Sequence, residues 1–133
     1  MQTRIAACSC GQLRATCSGT AGRISICHCL ACQRRTGAPF GAQSRFQRGQ
    51  VQVEGRSSAY TRRADSGNTV RFHFCPECGS TVFWEPGAHP DLISVALGAF
   101  AEPGYPAPAH SVWESMRHPW TQRIADLPME HLD

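Results

Sequence analysis

Lysine is absent from this chain: all thirteen of its basic residues are arginine. Without a side-chain amine, Schiff-base catalysis, pyridoxal phosphate attachment and a Walker-type phosphate loop are excluded, because each needs a lysine. Long apolar runs are also lacking. The longest, Leu92 to Phe100, is interrupted by Ser94 and Gly98 and falls far short of the roughly 20 residues a membrane helix requires. No membrane span is expected. There is no Gly-x-Gly-x-x-Gly element between a strand and a helix, so dinucleotide binding has no support. The formal net charge of +3 is spread along the chain, with only Arg34-Arg35 and Arg62-Arg63 adjacent, and no nucleic-acid partner is expected from so thin a basic surface. Internal repeats, low-complexity blocks and long linkers are missing too, and 133 residues fit one domain spanning 1–133.

What the chain does have is cysteine. Seven of its eight cysteines fall in three tight clusters: Cys8-Ser9-Cys10, Cys27-His28-Cys29-Leu30-Ala31-Cys32 and Cys75-Pro76-Glu77-Cys78. An even count would permit a secreted disulfide scaffold. Against this, Met1 to Ala7 contains no apolar stretch resembling a signal peptide, and Cys-x-Cys and Cys-x-x-Cys spacings aim neighbouring sulfurs at one ion. A reducing, cytoplasmic location follows as the expectation. The eighth, Cys17, stands alone in a strand-like run and reads as a small buried hydrophobe.

A structural zinc closes its tetrahedron with four protein ligands, whereas a catalytic zinc keeps three and leaves one position open. Seven clustered thiols divide into four and three, which predicts two zinc ions per chain. Spacing alone does not fix which clusters share a metal. Joining Cys8 and Cys10 with Cys75 and Cys78 gives a closed site between distant segments. Cys27, Cys29 and Cys32 then form an open one. The alternative takes His28 as a fourth ligand beside those three. Iron in the four-cysteine site is a weaker reading, because Cys8-Ser9-Cys10 departs from the paired Cys-x-x-Cys loops of rubredoxin-like centres.

Short alternating runs bounded by glycine, proline or charge indicate strands at Leu13–Cys17, Arg23–Ile26, Phe40–Phe46, Val51–Glu54, Ala59–Arg63, Thr69–Phe74, Thr81–Trp84 and Leu92–Ala96. Glu54-Gly55 and Ser66-Gly67-Asn68 suit hairpin turns, and Leu30–Arg35 alone looks helical. An all-β fold with both metals in loops and turns is expected.

The elements Cys8-Ser9-Cys10-Gly11-Gln12-Leu13-Arg14, Cys27 through Gly37, Phe74-Cys75-Pro76-Glu77-Cys78-Gly79-Ser80 and His110-Ser111-Val112-Trp113-Glu114-Ser115, with Pro119-Trp120 following, occur in an order that resembles the glutathione-dependent formaldehyde-activating enzymes. That group also contains the centromere protein V-like proteins. The resemblance runs along nearly the whole chain. It implies a small β-tent (Mss4-like) fold with two zinc ions, the structural one on Cys8, Cys10, Cys75 and Cys78 and the catalytic one on Cys27, Cys29 and Cys32. It further implies a carbon–sulfur lyase acting on glutathione and formaldehyde through S-hydroxymethylglutathione. A non-catalytic zinc-binding interaction module of the same fold is the alternative.

Three thiolates around zinc leave a net negative, soft and weakly Lewis-acidic centre, better suited to receiving a thiolate than to polarising water for hydrolysis. Glutathione, or a similar thiol, meeting a small aldehyde fits that preference. Because the tripeptide carries two carboxylates, Arg34 and Arg35 are candidate partners through bidentate guanidinium contacts, and Thr36 and Gly37 are candidates for further hydrogen bonds. Glu114 is a candidate to orient a ligand or move a proton, although a surface carboxylate is its plainer role. His73 is expected to pack or to hydrogen-bond near a ligand, and Trp84, Trp113 and Trp120 to cover the core or rim a pocket.

Overall fold

The computed structural model describes residues 1–64 and 66–133, and short strands dominate it. Strands β1 (Thr3–Ala7), β2 (Arg14–Ser18) and β5 (Val51–Glu54) form an antiparallel sheet in the order β1-β2-β5. A larger sheet contains β3 (Arg23–Cys27), β4 (Gly41–Gln47), β6 (Ser58–Arg63), β7 (Thr69–Phe74), β8 (Thr81–Pro86), β9 (Leu92–Ala96) and β10 (His110–Val112). Its order is β10-β3-β4-β9-β8-β7-β6, antiparallel throughout except for the β10–β3 pair. Helix α1 (Leu30–Thr36) is the one α-helix among the described residues. No helix among them is long and apolar enough to cross a membrane.

The all-β expectation holds, with two additions. β1 and β10 carry little apolar alternation of their own and are held as strands by pairing with β2 and β3. One expectation fails: Glu54-Gly55 is not a hairpin, because β5 pairs with β2 while β6 pairs with β7 in the other sheet. The chain crosses between sheets here. Gly55 adopts φ 96° directly against Gln12, and a Cβ at that position would overlap the Gln12 carbonyl. Glycine is needed at this position for close approach as much as for the left-handed turn. Gly67 does lie in the β6–β7 hairpin, at φ 92° with open space around it.

The two-residue period of a strand sends successive side chains to opposite faces. In the larger sheet, the cross-strand row Phe83, Val95, Ser44, Ile24 faces the small sheet, where Leu13, Ala15 and Cys17 complete the buried core with Phe46, Phe100 and Tyr105. Cys17 is a core thiol, 1% exposed, as expected. The neighbouring row, Phe72, Trp84, Ser94, Arg45, faces away from that core. His73 stacks on Phe83 and meets Glu85 Oε1 at 2.6 Å, so it packs and pairs within the sheet.

Two substitutions separate the causes of glycine at these turns. Gly67→Ala is expected to cost about 1 kcal/mol, the usual penalty of a positive φ without a clash. Gly55→Ala adds a backbone overlap and should cost more than about 3 kcal/mol. Urea unfolding of both variants checks this; equal losses would mean that the Gln12 contact has no weight.

Candidate metal centres

Two turns with the same local design build the first centre. Cys8 N donates to Leu13 O and Gly11 N to Cys8 O, while Cys75 N donates to Ser80 O and Gly79 N to Cys75 O. Gly11 and Gly79 have φ of 83° and 80°, the left-handed step that returns the chain after the second cysteine of each pair. Amide hydrogens point at the sulfurs: Leu13 N lies 3.3 Å from Cys8 Sγ, Glu77 N 3.4 Å from Cys75 Sγ, and Gln12 Nε2 3.0 Å from Cys75 Sγ. Such donors stabilise thiolate over thiol.

The sulfurs of Cys8, Cys10, Cys75 and Cys78 all lie within 4.8 Å of one another. Cys10 Sγ is 3.6 Å from Cys8 Sγ and 3.7 Å from Cys75 Sγ. Four sulfurs about 2.3 Å from a central zinc would be separated by about 3.8 Å along each tetrahedral edge, so the spacing fits the ion. Cys8 and Cys75 are buried while Cys10 and Cys78 are exposed. Ser9 and Ser80 add hydrogen bonds across the junction at 3.1 and 2.9 Å.

The second centre forms where β3 ends and α1 begins. Cys27 is the last residue of its strand, Cys29 caps the helix with its sulfur accepting from Cys32 N at 3.3 Å, and Cys32 lies in the first turn. All three are buried and their sulfurs converge within 4.8 Å. His28 does not join them. Its Nε2 meets Ser111 Oγ at 3.1 Å and its ring packs against Phe40, so the four-ligand alternative through His28 is not formed. Hydrogen bonding from Cys27, opposed by burial and assisted by Cys29 and the Arg35 charge, brings the Cys32 thiol down to about 5. The bond to Cys32, together with burial, pushes Cys27 far up. Three crowded sulfurs cannot all ionise unaided, and a soft dication removes that conflict. The donor set fits zinc.

These sulfurs wall a cavity of about 220 Å³ on the outward face of the larger sheet, shared with Arg35, Arg45, Arg62, Phe72, Trp84 and Ser94. The Arg35 guanidinium lies 4.4 Å from the Trp84 ring centroid and 5.1 Å from that of Phe72, with Nη2 4.0 Å from Cys32 Sγ. Gly41 leaves it room: a Cβ there would come within 3.1 Å of Arg35 Nη2. An adjoining groove of about 450 Å³ carries Arg34, Arg35, Tyr60 and Arg62.

The remaining candidates are placed as follows. The Thr36 hydroxyl donates to Cys32 O at 2.8 Å and accepts from Ala38 N at 3.1 Å. Gly37 is the left-handed C-cap of α1. Both end the helix and neither lines the three-thiol cavity. Glu114 is exposed, sits 3.9 Å from Arg117 and lies outside the cavity, the plainer of its two expected roles. Trp84 and Trp113 border the cavity, whereas Trp120 is at the surface against His118. Arg45 and Arg62 were not foreseen. The available signal was Gln43-x-Arg45, polar residues alternating with the inward-facing Ala42, Ser44 and Phe46.

The family model described as glutathione-dependent formaldehyde-activating enzyme matches residues 3–116. Among solved structures, the crystal structure of a Rhodobacter sphaeroides protein, a structural-genomics target, is similar with a TM-score of 0.61 over 80% of this chain and 98% of that one. At 16% identity that likeness speaks for the fold alone. No curated protein matches the chain at a significant level.

The two centres differ in what they connect, and their loss should differ accordingly. Cys10→Ser or Cys78→Ser removes a junction between the two sheets and is expected to lower the melting temperature by about 10 °C or more, because a closed zinc site contributes folding free energy directly. Cys29→Ser or Cys32→Ser opens only a six-residue loop and should leave the melting temperature within about 5 °C while removing one zinc. Melting curves with zinc counts decide it. An early melt in Cys32→Ser, or a stable Cys78→Ser, would reverse the assignment.

Proposed function

This chain belongs to the glutathione-dependent formaldehyde-activating enzyme family, and from that premise we propose that it is a zinc enzyme of the carbon–sulfur lyase class. In this reading it joins glutathione, or a similar thiol, to formaldehyde or another small aldehyde. The observation that carries the reading is the convergence of three buried sulfurs on a cavity that also presents three arginines and, among the described residues, no carboxylate. A non-catalytic module would have no use for such a cavity beside an incomplete ligand set.

One zinc is assigned to Cys8, Cys10, Cys75 and Cys78 and a second to Cys27, Cys29 and Cys32. When bound at the three-thiol centre, zinc supplies a soft Lewis acid with an open position, which favours an incoming thiolate and keeps it deprotonated at neutral pH. The chain supplies the rest. Arg35 offers a guanidinium held in place by Trp84 and Phe72, and Arg34 and Arg62 line the adjoining groove. Together they match the two carboxylates of the tripeptide. Thr36 and Gly37 enter as the helix stop that sets the direction of Arg34 and Arg35. Trp84 and Phe72 give the cavity apolar walls, which limit water around the reacting atoms.

In the reaction, a bond forms between the glutathione sulfur and the aldehyde carbon. The carbonyl π pair moves to oxygen, which takes up a proton, giving S-hydroxymethylglutathione. Thiol and aldehyde combine without oxidation. The lysine-free composition leaves no side-chain amine to be consumed by the aldehyde. Residues 1–133 are read as one domain acting in the reducing cytoplasm, where thiols remain available as metal ligands.

The expected outcome is about two zinc ions per chain and faster exchange between formaldehyde, glutathione and their adduct, followed by magnetisation-transfer NMR. Arg35→Ala should weaken glutathione binding by about 1 to 3 kcal/mol, as for loss of a charge-assisted hydrogen bond. Cys29→Ser should abolish the acceleration. Exchange no faster than in buffer with both zinc sites filled would sink the enzymatic reading.

A further inference from the structure

Arg45 and Ser94 lie directly opposite each other on β4 and β9, and both face the three-thiol cavity. Ser94 is 0% exposed. Its Oγ and the Nε of Arg45 are buried without a hydrogen-bond partner. Across the sheet the residue opposite Arg45 is Arg23, a like charge, and Arg45 forms no ion pair among the described residues. Burial first, and then the Arg23 charge, pull the Arg45 guanidinium below its ordinary pKa. A partly buried cation beside a like charge is unfavourable, and the attraction of an anion in the cavity would offset that cost.

Neither reactant named so far needs that cation. Formaldehyde is neutral and has a single carbon. Glutathione carries its carboxylates at its two ends, and Arg34, Arg35 and Arg62 along the outer groove suffice for them. The deeper pair is left for the other reactant. We propose that Arg45 and Ser94 form a carboxylate subsite, so that the carbonyl partner of the thiol is a small aldehyde acid whose carboxylate lies next to its carbonyl carbon. The proposal rests on the thiol-adding role given above and narrows its electrophile. The step stays balanced: the sulfur–carbon bond forms, the carbonyl π pair passes to oxygen, that oxygen gains the proton lost by the thiol, and the carboxylate is unchanged.

Glycolate, the unreactive alcohol counterpart of such an aldehyde acid, is the probe, with neutral glycolamide as its control. Binding is measured by calorimetry on the zinc-loaded protein, with and without saturating S-methylglutathione, which fills the tripeptide site but has no free thiol. Glycolate should bind at least about tenfold more tightly than glycolamide, the scale of one charge-assisted hydrogen bond. Its affinity should stay within about twofold when S-methylglutathione is present, as for separate subsites. Arg45→Gln, or Arg45→Leu should the first variant melt early, is expected to weaken glycolate by about tenfold or more and Ser94→Ala by about threefold, with S-methylglutathione affinity unchanged. Glycolate binding no better than glycolamide, or unaffected by Arg45→Gln, overturns the proposal. So does competition with S-methylglutathione, which would assign Arg45 to the tripeptide. If glutathione itself fails to bind while glycolate binds through Arg45, the anion subsite stands and the thiol reading falls.

Discussion

Four sulfurs bring the turn between β1 and β2 in one sheet against the turn between β7 and β8 in the other, close enough to share one metal ion, and the rest of the molecule is arranged around that junction. The core between the sheets is small, made largely of Leu13, Phe46, Val82, Phe83 and Val95 with several alanines and cysteines. Each large side chain of this kind contributes about 1.5 to 3 kcal/mol on burial, against an ordering cost of similar total size. A metal held by those sulfurs would therefore have disproportionate weight. Gln12 illustrates how tightly the surroundings are drawn in: its amide meets Cys75 Sγ and Arg56 O while its carbonyl oxygen accepts from Arg56 N. The Gly55 crossing and a donor to the Cys75 sulfur thus meet at this one residue.

Given that anchor, the pleat of the larger sheet divides the work. One face holds apolar residues against the small sheet, and the other holds Phe72, Trp84, Ser94 and Arg45 beside the three thiols. Because side chains alternate strictly, slipping one strand by a residue would exchange core for site. Register therefore governs the core and the lining of the three-thiol cavity together. The bulge between His73 and Phe74 on β7 marks the limit of this regularity, just before the strand gives way to the Cys75 turn.

The cysteine partition was legible because it depends on spacing within six residues and on the number of ligands a closed site needs. The same local signals placed most of the larger sheet and α1 within a residue or two. What escaped depends on contacts distant in sequence. β1 exposes Ile5 and buries only Ala6 fully, so its pattern hardly differs from a loop. β10 is three residues long and joins as a parallel partner. Gly55 looked like a hairpin glycine because its φ is the one a hairpin would use; only the position of Gln12 shows that the strands on either side belong to different sheets. Arg45 and Arg62 come to line the three-thiol cavity through strand register, which no local motif encodes.

Strand β6 is one of the two edge strands of the larger sheet, and its Arg62 faces the cavity while Arg63 alternates to the other side. An uncovered strand edge is a template on which another chain can add itself. Two adjacent cations on that edge oppose such pairing, since a second copy aligned there would bring like charges together. The side chain that lines the three-thiol cavity thus also places a positive charge on the sheet edge. Conditions that neutralise it, such as high concentrations of polyvalent anions, would act on the sheet edge and on the three-thiol cavity at once.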